Sequence, residues 1–409
     1  MTTTFALWLV AGGIVALVMM LVVVVVARGL ERRSLRSSKP LTTTAHGTTL
    51  AASAVASAAA LTAINPALGI LARMAARRAR YAGTPARKRI GIAVSGASLA
   101  IVIAVVTGLA KDRENREPPM PVEITAGALH GTLLSPKKSA PLVLIVPGSG
   151  PTDRDGNSPL GVKAGMYKQL AEALSKKGIA SVRVDKRGMF GSAGAGDPNI
   201  TSIDAYVQDY HAWIDAIRAE TGRKCVWLLG HSEGALMVSA AAEGRKDVCG
   251  LILVSGMGRK MGDVLRQQLQ SNPANAPILD QAFAAIADLE AGRHPDTTGM
   301  HPALAPLFAP QVQDFLISMF ATDPVEAVRH AHVKTLIVQG TNDLQVTVED
   351  AKLLNHAPRT RLELIKGMNH VLKEAPEDRA GNIATYANPD LPIHPKLARK
   401  IADFIKGDD

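Results

Sequence analysis

Five consecutive residues, Gly230-His231-Ser232-Glu233-Gly234, have the types and spacing for nucleophilic chemistry. A serine hydroxyl is a weak nucleophile until a base takes its proton, and the base keeps its orientation only if a carboxylate holds it. The run Val226-Trp-Leu-Leu before the motif is apolar, and small residues follow it from Ala235. This predicts a buried strand, a sharp turn carrying Ser232, and a helix. A side chain at Gly230 or Gly234 would clash in so tight a turn. The serine oxygen would stand exposed at a helix N-terminus, whose positive end favours developing negative charge.

The base and its carboxylate are expected downstream. Thr335-Leu-Ile-Val-Gln-Gly reads as a buried strand followed by a loop that reaches Asp343, and Leu364-Ile leads through Lys-Gly-Met-Asn to His370. Both positions follow strand C-termini, where an open α/β sheet places its ligands. Asp350 and His356 compete for these roles, but they fall on or near the helix between the two strands and are set aside. An oxyanion hole needs two backbone N–H groups. One is expected from Glu233 and the other from Ser149, in the loop after the apolar run Pro141-Leu-Val-Leu-Ile-Val146. His231 reads as a packed loop residue and not as a second base.

The elements that must position these groups alternate between strand and helix, the pattern of an α/β sheet. Strands are expected at 122–125, 131–134, 141–146, 180–184, 224–229, 251–254, 335–338 and 361–365. Helices are expected near 165–177, 202–221 and 396–405. Some eighty residues separate the strands at 251–254 and 335–338, too many for an ordinary connection. They read as an inserted helical cap over about 257–332, with helices near 261–271, 277–291 and 311–320.

Taken together, Gly148-Ser-Gly-Pro-Thr-Asp-Arg-Asp-Gly156, Asp185-Lys-Arg-Gly188, Gly230-His-Ser-Glu-Gly234, Gly340-Thr-Asn-Asp-Leu-Gln345 and Gly367-Met-Asn-His370 resemble the EstD-like bacterial esterases. These belong to the serine-aminopeptidase-like group of α/β-hydrolases. The resemblance implies a mostly parallel sheet with helices on both faces and a helical cap. It also implies a Ser232–Asp343–His370 triad and carboxylesterase-like action on a small-molecule ester or acyl substrate through an acyl-enzyme. A serine peptidase or aminopeptidase, or an acyltransferase, would use the same residues. A catalytically silent binding module on the same fold is the non-enzyme alternative, disfavoured because every triad and oxyanion position is filled. Asp153, Arg154 and Asp155 are expected to brace the oxyanion loop by pairing with each other, with substrate contact as the alternative. Asp185-Lys186-Arg187-Gly188 reads as a turn with structural ion pairs.

The overall charge of +10 is no argument for nucleic acid, because it is concentrated at one end. Residues 1–110 carry +11 and the rest −1. The uncharged apolar runs at about 5–27 and 90–110 are each long enough to span a bilayer, and 41–72, uncharged but rich in Ala, Thr and Ser, is open between a third span, a re-entrant piece and a surface helix. The basic cluster from Arg73 to Arg89 stays cytoplasmic by the positive-inside rule. Residues 1–110 are therefore expected to form an anchor in a bacterial inner membrane. A linker follows at 111–121, and the domain at 122–409 is expected on the periplasmic side. Cys225 and Cys249 open neighbouring strands and read as buried, reduced thiols; a bond between them would need an oxidising compartment. There is no phosphate loop, dinucleotide fingerprint or His/Cys metal spacing, so neither cofactor nor metal is expected.

Overall fold

Leu142, Leu144 and Val146 pack into one apolar cluster, and Val143 and Ile145 into another. All five are at most 1% exposed. Side chains on a strand alternate between faces, so β3 (Leu142–Val146) is covered on both sides. Each such side chain contributes about 1.5–3 kcal/mol by leaving water. The same alternation runs along β7 (Val226–His231) and β8 (Val248–Val254). The computed structural model describes residues 119–199 and 201–407.

The remaining strands are β1 (Val122–Ala126), β2 (Leu129–Leu134), β6 (Ala180–Val184), β9 (Thr335–Gly340) and β10 (Thr360–Ile365), with a short hairpin of β4 (Asn157–Ser158) and β5 (Val162–Lys163) apart from the main sheet. The eight-stranded sheet has the order β1-β2-β6-β3-β7-β8-β9-β10. Only β2 runs against its neighbours; from β6 to β10 every pairing is parallel. The C-termini of β3, β7, β9 and β10 therefore share one edge. On one face lie α1 (Met166–Lys176) and α10 (Leu397–Lys406), which bury Leu170, Leu174, Leu397 and Ile401. On the other lie α2 (Ile203–Thr221) and α3 (Glu233–Ala242), with Tyr206, Trp213 and Leu236 in the core. Ser202 caps α2 by accepting from the Ala205 N–H, and Gly222 ends it in the left-handed region.

Between β8 and β9 the chain is helical: α4 (Met261–Gln270), α5 (Leu279–Glu290), α6 (Gln313–Ala321) and α7 (Pro324–Ala331). The insertion is rooted in the main body. α7 packs on α3, and Phe315 of α6 meets Tyr206 edge-on at 5.7 Å. Two short helices, α8 (Val348–Leu354) and α9 (Arg379–Ala384), complete the fold.

Most expected elements are present with shifted ends. The strand expected at 224–229 is instead β7, which runs on to His231, because Gly230 and His231 still pair with Leu253 and Val254. The cysteines require a correction. Cys225 and Cys249 are half-buried and joined in a disulfide. They sit where β7 and β8 begin, and their Cα atoms, 5.3 Å apart, are within bonding reach. No helix among the described residues is long and apolar enough to cross a membrane. The expected spans at 5–27 and 90–110, and the linker up to 118, lie outside the described residues.

Candidate active site

Ser232 stands between β7 and α3 with φ 55° and ψ −122°, a conformation costly for a residue with a side chain. The surroundings enforce it. The Ser232 N–H donates to the Val254 carbonyl at the end of β8 (2.9 Å). A Cβ on Gly230 would lie 2.1 Å from the Gly234 carbonyl oxygen, and one on Gly234 2.6 Å from that of Pro147. The half-buried Ser232 hydroxyl accepts and donates no hydrogen bond among the described residues.

Asp343 and His370 meet where the loops after β9 and β10 are tied together. The Thr341 N–H donates to the Ile365 carbonyl (3.1 Å) and the Asn342 N–H to the Met368 carbonyl (3.0 Å). His370 Nδ1 lies 2.9 Å and 3.1 Å from the two Asp343 carboxylate oxygens. Both side chains are buried. Asp343 Oδ1 also accepts from the N–H groups of Gln345 (2.8 Å) and Val346 (3.0 Å). Burial alone would raise the Asp343 pKa, but the adjacent imidazole and these donors hold it below the usual carboxylate range. An ionised Asp343 can only accept, so Nδ1 carries the proton and Nε2 keeps the basic lone pair.

Ser149 and Glu233 follow the ends of β3 and β7. Neither of their backbone N–H groups meets a protein acceptor among the described residues. A Cβ on Gly148, next to Ser149, would lie 3.1 Å from Ser232 Cβ, so the loop after β3 closes on the serine. The arrangement thus offers a free hydroxyl, an oriented imidazole and two free N–H donors at one sheet edge.

This is the α/β-hydrolase fold. The Hydrolase_4 family model (serine aminopeptidase, S33) matches residues 160–286, a stretch that includes Ser232 but neither Asp343 nor His370. Among solved structures the chain is similar to the α/β-hydrolase GrgF from Penicillium sp. sh18, at 20% identity over 71% of this chain and 99% of that one, with a TM-score of 0.46. It is also similar to Est1E from Butyrivibrio proteoclasticus (17% identity, 70% and 98% covered, TM-score 0.44) and to the esterase PF2001 from Pyrococcus furiosus (14%, 71% and 90%, 0.45). No curated protein matches the chain.

Within the α/β-hydrolase fold the competing residues have other tasks. Asp350 forms a capping box with Thr347 at the start of α8 and a two-pronged ion pair with Arg259 (2.9 and 2.6 Å). His356 is exposed. Arg154 pins the long loop after β3, but not through its sequence neighbours. It pairs with Asp185 (2.7 Å) and Glu123 (2.8 Å), while Asp155 pairs with Arg183 and Asp153 folds its own loop by accepting from the N–H groups of Asp155 and Asn157. The expected mutual pairing does not form because each of the three is engaged by other partners. Arg187 pairs with Asp209 (2.6 Å), as a structural turn requires.

Four supporting roles, those of His231, Tyr167, Lys186 and Asn369, are not directly visible in the sequence. His231 is 2% exposed and is not idle packing. Its Nδ1 accepts from the Tyr167 hydroxyl (2.8 Å), which itself accepts from the Gly148 N–H (3.0 Å). Its Nε2 donates to the His370 carbonyl (2.9 Å). Burial, with the nearby His370 adding to it, pulls the His231 pKa down to about 3, so this ring stays neutral and is no second base. Lys186 is 5% exposed; its ammonium donates to the Gly148 carbonyl (2.8 Å) and lies 3.6 Å from the Glu233 carboxylate. Asn369, fully buried, anchors the His370 loop through Asn382 and Thr385. Tyr167 left no signal in the sequence. Lys186 left a weak one: a charge straight after a fully buried strand needs a partner inside.

Proposed function

We propose that this protein is a serine hydrolase cleaving carboxylic esters through an acyl-enzyme. The observation that carries the reading is the His370–Asp343 couple at the same sheet edge as a strained, unbonded Ser232 with two free backbone N–H groups. His370 Nε2 takes the Ser232 proton as the hydroxyl adds to the ester carbonyl. The Ser149 and Glu233 N–H groups stabilise the oxyanion, and His370 returns the proton to the leaving alcohol. Water, activated by His370 in turn, releases the acid. The motif set favours the EstD-like esterases within the fold.

Amide cleavage is the second reading, and the match to a family model described as a serine aminopeptidase favours it. A fluorophosphonate probe should label the protein, and Ser232→Ala should abolish the label; labelling that survives the substitution would end both readings. A p-nitrophenyl ester series beside aminoacyl anilides then separates ester from amide preference.

For its setting, the domain is an extracytoplasmic one on a bacterial inner-membrane anchor. The charge asymmetry around residues 73–89 and the Cys225–Cys249 bond both support this, since disulfides persist in oxidising compartments. A reporter fused after Lys111 that is active only in the cytoplasm would overturn it.

A further inference from the structure

We infer that Lys186 is the positioning residue of the oxyanion hole, acting by locking the Gly148–Ser149 peptide in one orientation. This rests on the acyl-transfer reading above. In a planar trans peptide the carbonyl and the following N–H point to opposite sides. Lys186 Nζ draws the Gly148 carbonyl toward itself at 2.8 Å, and the Ser149 N–H is thereby sent the other way. The preceding peptide is fixed separately, because the Gly148 N–H is held by the Tyr167 hydroxyl. A loop containing Gly148 and Gly150 would otherwise turn its peptides readily, and a turned peptide presents a carbonyl where a donor is needed.

The placement of Lys186 speaks against a purely structural role. Burying an ammonium is costly, and an apolar side chain would fill the same space without that cost. Here the charge sits between the two residues that supply the free N–H groups, reaching the Gly148 carbonyl on one side and the Glu233 carboxylate on the other. Burial lowers the Lys186 pKa, and the neighbouring Glu233 carboxylate works against that. One side chain thus ties the loop after β3 to the start of α3.

The test compares wild type with Lys186→Met and with Lys186→Met/Glu233→Gln, the second of which leaves no unpaired buried charge. kcat is expressed per Ser232 titrated with fluorophosphonate, so that unfolded protein does not count. KM and the affinity of a boronic acid that forms a tetrahedral serine adduct are measured alongside. Removing an oxyanion donor costs on the order of 10²–10³ in kcat. A misdirected one is expected to cost about 10–10², with KM within about threefold and boronate affinity falling in step with kcat. A kcat per titrated site within threefold of wild type in either variant overturns the inference. So does a rise in KM at unchanged kcat. If wild type itself takes no label at Ser232, the acyl-transfer reading falls and takes the inference with it; a labelled, active wild type with unaffected variants sinks the inference alone.

Discussion

His231, the residue before the serine, donates through Nε2 to the backbone carbonyl of His370, 2.9 Å away. The two imidazole centroids lie 4.8 Å apart. The strand that leads into Ser232 therefore holds the loop that carries His370. Through Tyr167, the same ring reaches the loop that carries Ser149.

Tyr167→Phe cuts this chain with little change in shape. It strands the Gly148 N–H and His231 Nδ1, two buried polar groups that each cost about 1–3 kcal/mol when unpaired. The denaturation midpoint should fall, and kcat should drop more than KM rises. An unchanged midpoint would show that the chain contributes no stability.

The pH dependence of stability follows from His231. An unfolded imidazole takes up a proton below about 6.5, whereas the folded one resists until about 3. Between these values the unfolded state binds more protons, so stability falls as pH falls, by about 1.4 kcal/mol per unit at the steepest. Asp343, lowered in the folded state, adds a loss of the same sign in more acid solution. Equilibrium unfolding from pH 7 to 4 should show a shallower acid limb in His231→Gln than in wild type. Equal slopes would be inconsistent with a neutral buried ring.

Asp343→Asn tests the imidazole tautomer. The amide oxygen would stay with the Gln345 and Val346 N–H groups, which turns the NH₂ toward His370 Nδ1. Nδ1 then accepts, Nε2 carries the proton, and the base is lost. kcat should fall by about 10⁴-fold in a folded protein. A loss under tenfold would remove Asp343 from the role given to it.

The disulfide should affect stability and not turnover. Cys225 and Cys249 lie at the starts of β7 and β8, the ends away from Ser232. The bond closes a loop of 24 residues, and the chain-entropy account gives about 3 kcal/mol for a loop of that size. Replacing both cysteines with serine should lower the melting temperature and leave kcat within about twofold. A parallel loss of kcat would tie the foot of the sheet to its reactive edge.

The sequence made the sheet legible because strands buried on both faces are written as continuous apolar runs, as in Leu142–Val146 and Thr335–Gly340. The positions of Ser232 and Asp343 after strands were legible because each follows such a run, while His370 follows β10, a half-exposed strand with charged residues. The supports were not. Tyr167 and Lys186 act from α1 and from the loop after β6, and their partners on Gly148 are backbone atoms, which have no residue identity to read. Arg154 was misassigned for a related reason, since Asp185 and Glu123 are neighbours only once β1, β2 and β6 pair.

Ser149, Ser232, Asp343 and His370 follow β3, β7, β9 and β10, while the long helical insertion leaves from β8 and supplies none of them. On the serine-hydrolase proposal, residues 257–332 can therefore be redrafted without altering any side chain that would break the bond.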